Sequence, residues 1–174
     1  VDLIGFGNDL GENKYQTTIS DMQVNTNWKQ YIIPIPDPSK LTAEKGMLFY
    51  SEGPEEGRGY TLWIDEVKFE NLGTIAHPEY TIFNGNALLE TFFNGVTRRV
   101  DGIQAIFNMP TGINQAVNIS PAYSEFFSSN QDVATVDDSG LITVLSSGTT
   151  QITATINGVN AKGSLNVTSK GNYI

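Results

Sequence analysis

Apolar positions in the second half of the chain follow a period of two and fall into short runs separated by Gly-containing turns. The runs lie roughly 8–12 residues apart, at 132–136, 141–145, 151–156 and 163–167. In the third run, Ile152, Ala154 and Ile156 alternate with Thr153 and Thr155. A period of two predicts strands with one buried face, so the expected fold class is all-β.

The first half shows a similar but less regular pattern. It predicts strands over 1–6, 31–35, 47–50 and 60–69, and one or two helical turns over 39–45. The apolar phase changes at Asp65, because Leu62 and Ile64 occupy even positions whereas Val67 and Phe69 occupy odd ones. A change of phase within a strand predicts a β-bulge at that point.

Polar turns are predicted at four places in the second half. Asp137 to Gly140 combines an Asp that accepts local backbone hydrogen bonds with a Gly suited to positive φ. Ser147 to Thr149, Asn84 to Asn86 and Gln115 to Pro121 are the other three, and Val133 to Val136 alternates so poorly that a bend is expected there.

Composition divides the chain in two. Charge density falls and the Asn, Ser and Thr content rises after about residue 72. We therefore predict a first unit over 1–72, a linker over 73–79, a second unit over 80–169 and a tail over 170–174. Because the sequence begins at Val1 within a predicted strand, we expect both ends to continue into a longer protein.

The second unit carries motifs that resemble a known family. VATVD at 133–137, GLIT at 140–143, a Gly-Thr turn at 148–149 and ITAT at 152–155 follow a Ser-Asn pair, and KGSLNVT closes the segment. Together these motifs resemble the bacterial immunoglobulin-like Big2 family over residues 120–168. The resemblance implies an Ig-like β-sandwich that serves for spacing, presentation or adhesion and needs no active site.

The first unit resembles the second half of a carbohydrate-binding-module jelly roll with a galactose-binding-like fold. The resemblance rests on WKQYIIPIP at 28–36 and YTLWIDEVKF at 60–69. Since a jelly roll has eight strands, the opening strands are expected upstream, or the open half pairs with another chain. The overall expectation is therefore a partial jelly-roll sandwich followed by an Ig-like sandwich.

The jelly-roll resemblance implies a polysaccharide ligand and five candidate site residues. Trp63, Tyr60 and Tyr50 are the expected surface aromatics, because a flat ring can stack on the apolar face of a sugar. Trp28 can also stack on sugar, but its place at the start of a strand favours a core position. Asp65 corresponds to a position that ligates structural Ca²⁺ in related jelly rolls, with an exposed strand acid as the alternative.

Charge and composition exclude several functions. The net charge of −9 and the lack of any basic stripe argue against nucleic-acid binding and against contact with anionic membranes. No apolar run approaches the roughly 18 residues that a spanning helix needs. With 17 % charged and 39 % hydrophobic residues, the chain has enough apolar surface to fold.

Catalytic signatures are missing as well. The sequence has no Cys, and its single His, His77, lies in the predicted linker. The acidic cluster of Glu52, Glu55 and Glu56 lies in a Gly/Pro loop where solvent keeps carboxylates ionised, which does not suit a general acid. We therefore expect no enzyme activity and no cofactor apart from structural Ca²⁺.

Three functions remain compatible with the sequence. The first is a carbohydrate-binding module joined to an Ig-like spacer in an extracellular or cell-surface bacterial protein. The second is a structural or adhesive surface protein built of β-sandwich repeats, without a sugar site. The third is the accessory region of a glycoside hydrolase whose catalytic domain lies elsewhere. In each case the expected partners include neighbouring domains of the same parent chain.

Overall fold

The computed structural model describes residues 1–7, 14–42, 46, 48–54, 56–73 and 78–173. These residues contain fourteen strands, three short 3₁₀ turns and no α-helix. The strands are β1 Leu3–Phe6, β2 Thr17–Ser20, β3 Leu48–Ser51, β4 Glu79–Thr81, β5 Ala87–Phe92, β6 Thr97–Arg99, β7 Gln104–Asn108, β8 Asn114–Ile119, β9 Ser124–Ser128, β10 Ala134–Val136, β11 Leu141–Val144, β12 Gly148–Ile156, β13 Val159–Asn160 and β14 Ser164–Ser169. The predicted all-β fold class is confirmed.

The strands form three sheets. A six-stranded sheet has the order β3-β1-β2-β8-β7-β4, and a three-stranded sheet has the order β10-β11-β6. The third sheet has the order β13-β12-β14-β5, and β9 also pairs with β12. All of these strand pairs are antiparallel except β5 with β14, which is parallel over Ala87–Phe92 and Ser164–Ser169. The layers of packed sheets form a β-sandwich of Ig-like character.

One hydrophobic core joins the sheets. On β12, Ile152, Ala154 and Ile156 are buried while Thr153 and Thr155 lie on the other face, as their alternation predicts. The same core cluster includes Ile4 of β1 and Ile19 of β2. Burial of each such aliphatic side chain stabilises the fold by roughly 1.5–3 kcal/mol. The N-terminal strands therefore share their core with the C-terminal half.

Hydrogen bonding also crosses the predicted domain boundary. β2 pairs with β8 through Thr17↔Ile119 and Thr18↔Asn118. Tyr123 packs edge-on against Tyr15, with ring centroids 5.4 Å apart, and its hydroxyl donates to the Tyr15 carbonyl. The division into residues 1–72 and 80–169 stays a prediction, and residues 74–77 of the linker lie outside the described part of the chain.

Two predicted strands of the first unit are wrong. Residues 31–36 form no strand, because Pro34 and Pro36 have no N–H to donate to a ladder. Their carbonyls instead accept side-chain hydrogen bonds, Pro34 from Thr17 Oγ1 at 3.0 Å and Pro36 from Asn157 Nδ2 at 2.8 Å. The segment thus crosses the core as a strap, with Tyr31, Ile32 and Ile33 packed against buried residues.

The predicted strand over 60–69 is wrong for a different reason. In a strand, the adjacent apolar residues Trp63 and Ile64 would lie on opposite faces, so burial of one face would leave the other in water. Glu66 has φ +52°, and its N–H bonds to Asp65 Oδ1 at 2.7 Å. The backbone therefore breaks where the apolar phase changes, but there is no ladder in which a bulge could form.

The turn predictions have mixed outcomes. The Asp137 turn is confirmed: Asp137 Oδ1 accepts from the N–H groups of Ser139 and Leu141, and Gly140 has φ +73°. These bonds, led by that from the Ser139 hydroxyl, hold the pKa of Asp137 below its ordinary value. The turn predicted over Gln115 to Pro121 is wrong, because residues 114–119 form β8 and bury Val117 and Ile119.

The remaining local predictions concern residues 1–51. The predicted strands at 1–6 and 47–50 are present as β1 and β3. The helical turns predicted at 39–45 are reduced to a 3₁₀ turn over Pro38–Lys40, whose start is capped by Asp37. Residues 43–45 lie outside the described part of the chain.

Candidate functional site

Both tryptophans lie on the surface and outside the strands, Trp28 between β2 and β3 and Trp63 between β3 and β4. Trp63 is 72 % exposed and Trp28 is 76 % exposed. The core position favoured for Trp28 is therefore wrong. Its strand does not form, so no sheet carries the indole inward. Such exposure is unusual for tryptophan, which is on average highly buried.

The apolar surface around Trp63 is wider than this one side chain. Ile64, Val67 and Phe69 of the same segment are all exposed, and Phe69 stacks edge-on against Phe6 of β1 with centroids 5.3 Å apart. At the other end of the segment, Tyr60 lines a shallow depression with residues that include Val1 and Met22. The segment thus runs alongside β1 and leaves much of its apolar surface in solvent.

The two candidate tyrosines lie in different settings. Tyr50 is an exposed residue of the edge strand β3, opposite Ile4. Tyr60 hydrogen-bonds to Glu52, whose carboxylate also accepts the backbone N–H of Asp2 at 2.9 Å. These bonds, led by the Tyr60 bond, hold the pKa of Glu52 below its ordinary value of 4.5. A carboxylate held in its ionised form is unsuited to general-acid catalysis.

Asp65 is an exposed carboxylate with few neighbours of its kind. Its Oδ1 accepts the Glu66 N–H, and within the described ranges no cluster of three acidic or imidazole side chains is arranged to hold a metal ion. Ca²⁺ takes six to eight oxygen ligands, so Asp65 and its surroundings do not fit a calcium site by themselves. Calcium binding at Asp65 stays a prediction.

A second polar surface was not predicted from the sequence. On the six-stranded sheet, Ile19, Ala105 and Val117 point into the core, so the partly exposed Gln104 and Asn118 and the buried Thr18 lie on the opposite face. These three residues, with Ser20, line a shallow depression of about 360 Å³. Its polar groups are of the kind that bind hydroxyl-rich ligands.

Side-chain hydrogen bonds fix the amides of this depression. Gln104 Nε2 donates to Asn118 Oδ1 at 2.9 Å, and Asn118 Nδ2 donates to Ser20 Oγ at 3.1 Å. The polar phase of each strand is visible in the sequence. However, the register that joins β2 to β8 spans a separation of about a hundred residues and has no local signal.

Comparison with known families agrees with the Ig-like architecture. Residues 114–167, less than half of the chain, match the family model of the bacterial Ig-like domain (group 2). This match supports the Big2 resemblance of the second unit, whereas the jelly-roll resemblance of the first unit stays a prediction. No curated protein shows significant similarity to the sequence.

The matched family is a non-catalytic domain type that occurs in bacterial surface proteins. The matched segment includes β8 to β13 and most of β14, which build much of the sandwich core. His77 lies outside the described residues, as does Glu55 of the acidic cluster. Among the described residues, no helix has the length and apolar character needed to cross a membrane.

Proposed function

We propose that this chain is a non-catalytic carbohydrate-binding and spacer region of a larger extracellular bacterial protein. The observation that carries the proposal is the exposure of both Trp28 and Trp63 beyond 70 %. An indole left in water loses the free energy that its burial would provide, so its retention on the surface favours a ligand that covers it. The flat apolar face of a pyranose is a suitable cover.

The spacer role rests on the Ig-like half. The family match over residues 114–167 supports a rigid module for presentation of neighbouring domains. Its strands bury their apolar faces within one core, so the module needs no ligand to be stable. In a glycoside hydrolase, such a region would hold the enzyme on its polymer, and a catalytic domain in the adjoining sequence would support that setting.

Glycan binding is tested with an array of soluble polysaccharides and affinity electrophoresis on the 174-residue chain. We expect binding to a neutral polymer, and Trp63→Ala or Trp28→Ala should weaken it about tenfold or more by removing a stacking face. The melting temperature should stay unchanged, since neither ring is buried. Tyr173→Ala is the matched control, because Tyr173 is 82 % exposed but lies in the C-terminal tail.

Two further arms separate the candidate surfaces. If Gln104→Ala abolishes binding while the tryptophan variants bind normally, the ligand occupies the polar depression of the six-stranded sheet. If EDTA abolishes binding and Asp65→Asn does the same, Asp65 takes part in a calcium site. If protein that unfolds cooperatively binds none of the polysaccharides on the array, carbohydrate binding is contradicted.

The competing function is that of a structural or adhesive surface protein without a sugar site. The family match favours it, because Ig-like domains of this group occur in bacterial surface proteins. This function predicts further β-sandwich repeats in the adjoining sequence and no glycan affinity.

A further inference from the structure

Among the strands that the structure describes, β5 is the longest at the edge of a sheet. It has six residues, and β14 is its only partner strand in the part of the chain that the structure describes. The other edge strands among the described residues are shorter, with two to five residues, namely β3, β4, β6, β9, β10 and β13. A long edge strand presents a row of unpaired backbone groups and is a template for pairing with another strand.

The hydrogen bonds to β14 show which backbone groups of β5 remain at the open edge. The carbonyl of Asn86 accepts from the Ser164 N–H, and that of Phe92 accepts from the Lys170 N–H. The backbone N–H and C=O groups of the even-numbered β5 residues therefore point toward β14. Since successive residues alternate, the N–H and C=O groups of Ala87, Leu89 and Thr91 point away from the sheet. These three residues offer three donors and three acceptors.

The side chains at these positions do not protect the edge. Ala87, Leu89 and Thr91 are all exposed, and Leu89 is 83 % exposed. None of them is charged, and the strand contains neither proline nor a bulge, which are the usual means of blocking strand addition. The one charged residue of β5, Glu90, is partly buried and pairs with Arg98 at 3.5 Å.

We propose that the chain forms a two-fold dimer in which β5 pairs antiparallel with β5 of a second copy. The free backbone groups of Ala87, Leu89 and Thr91 are arranged symmetrically about Leu89. In the dimer, Leu89 therefore lies opposite Leu89 of the second copy, and Ala87 lies opposite Thr91 of the second copy. Leu89 is the most exposed large hydrophobic residue of β5, and its two copies cover each other at the two-fold axis. No two residues of like charge lie opposite each other in this register. A two-fold arrangement closes the edge on itself, whereas a parallel pair leaves the association open.

Cysteine cross-linking tests this register directly, because the chain has no cysteine of its own. Opposed residues of a hydrogen-bonded antiparallel pair have Cα atoms about 5.5 Å apart, within the span of a disulfide. Leu89→Cys should therefore oxidise to a covalent dimer at least about tenfold faster than Ile113→Cys, which is a similarly exposed control on the β7–β8 turn.

A mixed experiment checks the direction of pairing. Ala87→Cys and Thr91→Cys should cross-link with each other, but neither should cross-link with itself. Identical positions are offset by four residues in the proposed register, which is about 13 Å along the strand and beyond disulfide reach. Equal rates for self and mixed pairs would overturn the proposed register.

Association itself is measured by sedimentation equilibrium of the intact 174-residue chain. The wild type should dimerise, and Leu89→Lys should shift it to monomer by placing two cations on the axis. Thr168→Lys is the matched control, since Thr168 is exposed on the neighbouring strand β14, away from the edge. A monomeric wild type whose Leu89→Cys variant cross-links no faster than the control would overturn the proposal, even if Leu89→Lys fails to fold.

Discussion

Two buried hydroxyl groups on the adjacent strands β9 and β12 differ in their hydrogen bonding. Thr150 Oγ1 accepts the N–H of Asn130 at 2.8 Å and lies 2.9 Å from Ser128 Oγ. Ser124 Oγ is buried and has no hydrogen-bond partner among the described residues. An unpaired buried hydroxyl costs free energy, whereas a paired one makes a small net contribution to stability.

Substitution should reveal this difference. Thr150→Val should lower the free energy of unfolding by about 1–3 kcal/mol, because it leaves the Asn130 N–H without its acceptor. Ser124→Ala should leave it unchanged or raise it by up to about 1 kcal/mol. Urea titration of both variants provides the comparison. An equal cost for Ser124→Ala would mean that its hydroxyl has a bonded partner such as ordered water.

At the scale of elements, the close pairing of β1 with β2 depends on a glycine. A Cβ at Gly5 would lie 2.4 Å from the Thr17 carbonyl oxygen and 2.7 Å from Thr18 Cγ2. Gly5→Ala should therefore destabilise the fold by about 1–3 kcal/mol through overpacking. Gly59→Ala is the control, since a Cβ there meets nothing within 4 Å. Thermal unfolding measures both, and an equal effect would show that β1 does not pack closely against β2.

Sequence patterns predicted some elements well and others poorly. β11 and β14 follow runs with clear alternation and motifs, so they were predicted close to their observed bounds. β12 was predicted from residue 151 but begins at Gly148, within the turn that was predicted over Ser147 to Thr149. β8 was missed because its buried Val117 and Ile119 are interspersed with Gln and Asn, which suggest a turn. Apolar content suggested strands at 31–35 and 60–69. Prolines work against strand pairing in the first segment, and adjacent apolar residues that would lie on opposite faces work against it in the second.

The candidate site shows the same limit. The stacking potential of Trp63 follows from its residue type, and its exposure agrees with the surface position expected for it. The polar depression was missed because β2, β7 and β8 come from distant parts of the chain. Its residues become neighbours only through the register of the six-stranded sheet, and that register is set by tertiary packing.

At the scale of the whole molecule, the N-terminal strands stabilise the Ig-like half. A fragment of residues 80–169 should unfold cooperatively, but its free energy of unfolding should be lower by roughly 2–5 kcal/mol, because β8 becomes an edge strand and the core loses its contacts with Ile4 and Ile19. Calorimetry of the fragment and the full chain checks this. Loss of the cooperative transition would contradict an independent domain over 80–169.

The parallel pairing of β5 with β14 also decides how the molecule bears tension. The chain enters β5 at one end of this pair and leaves β14 at the other. A pull on the two flanking segments therefore slides the strands past each other along their length. The load is then shared by all the hydrogen bonds between β5 and β14. A pull on the two ends of a hairpin would instead break its hydrogen bonds one at a time. In the intact chain the segment before β5 contains β1, β2 and β4, which are themselves paired in the six-stranded sheet, so tension from the N-terminus reaches this ladder only after those pairs have opened.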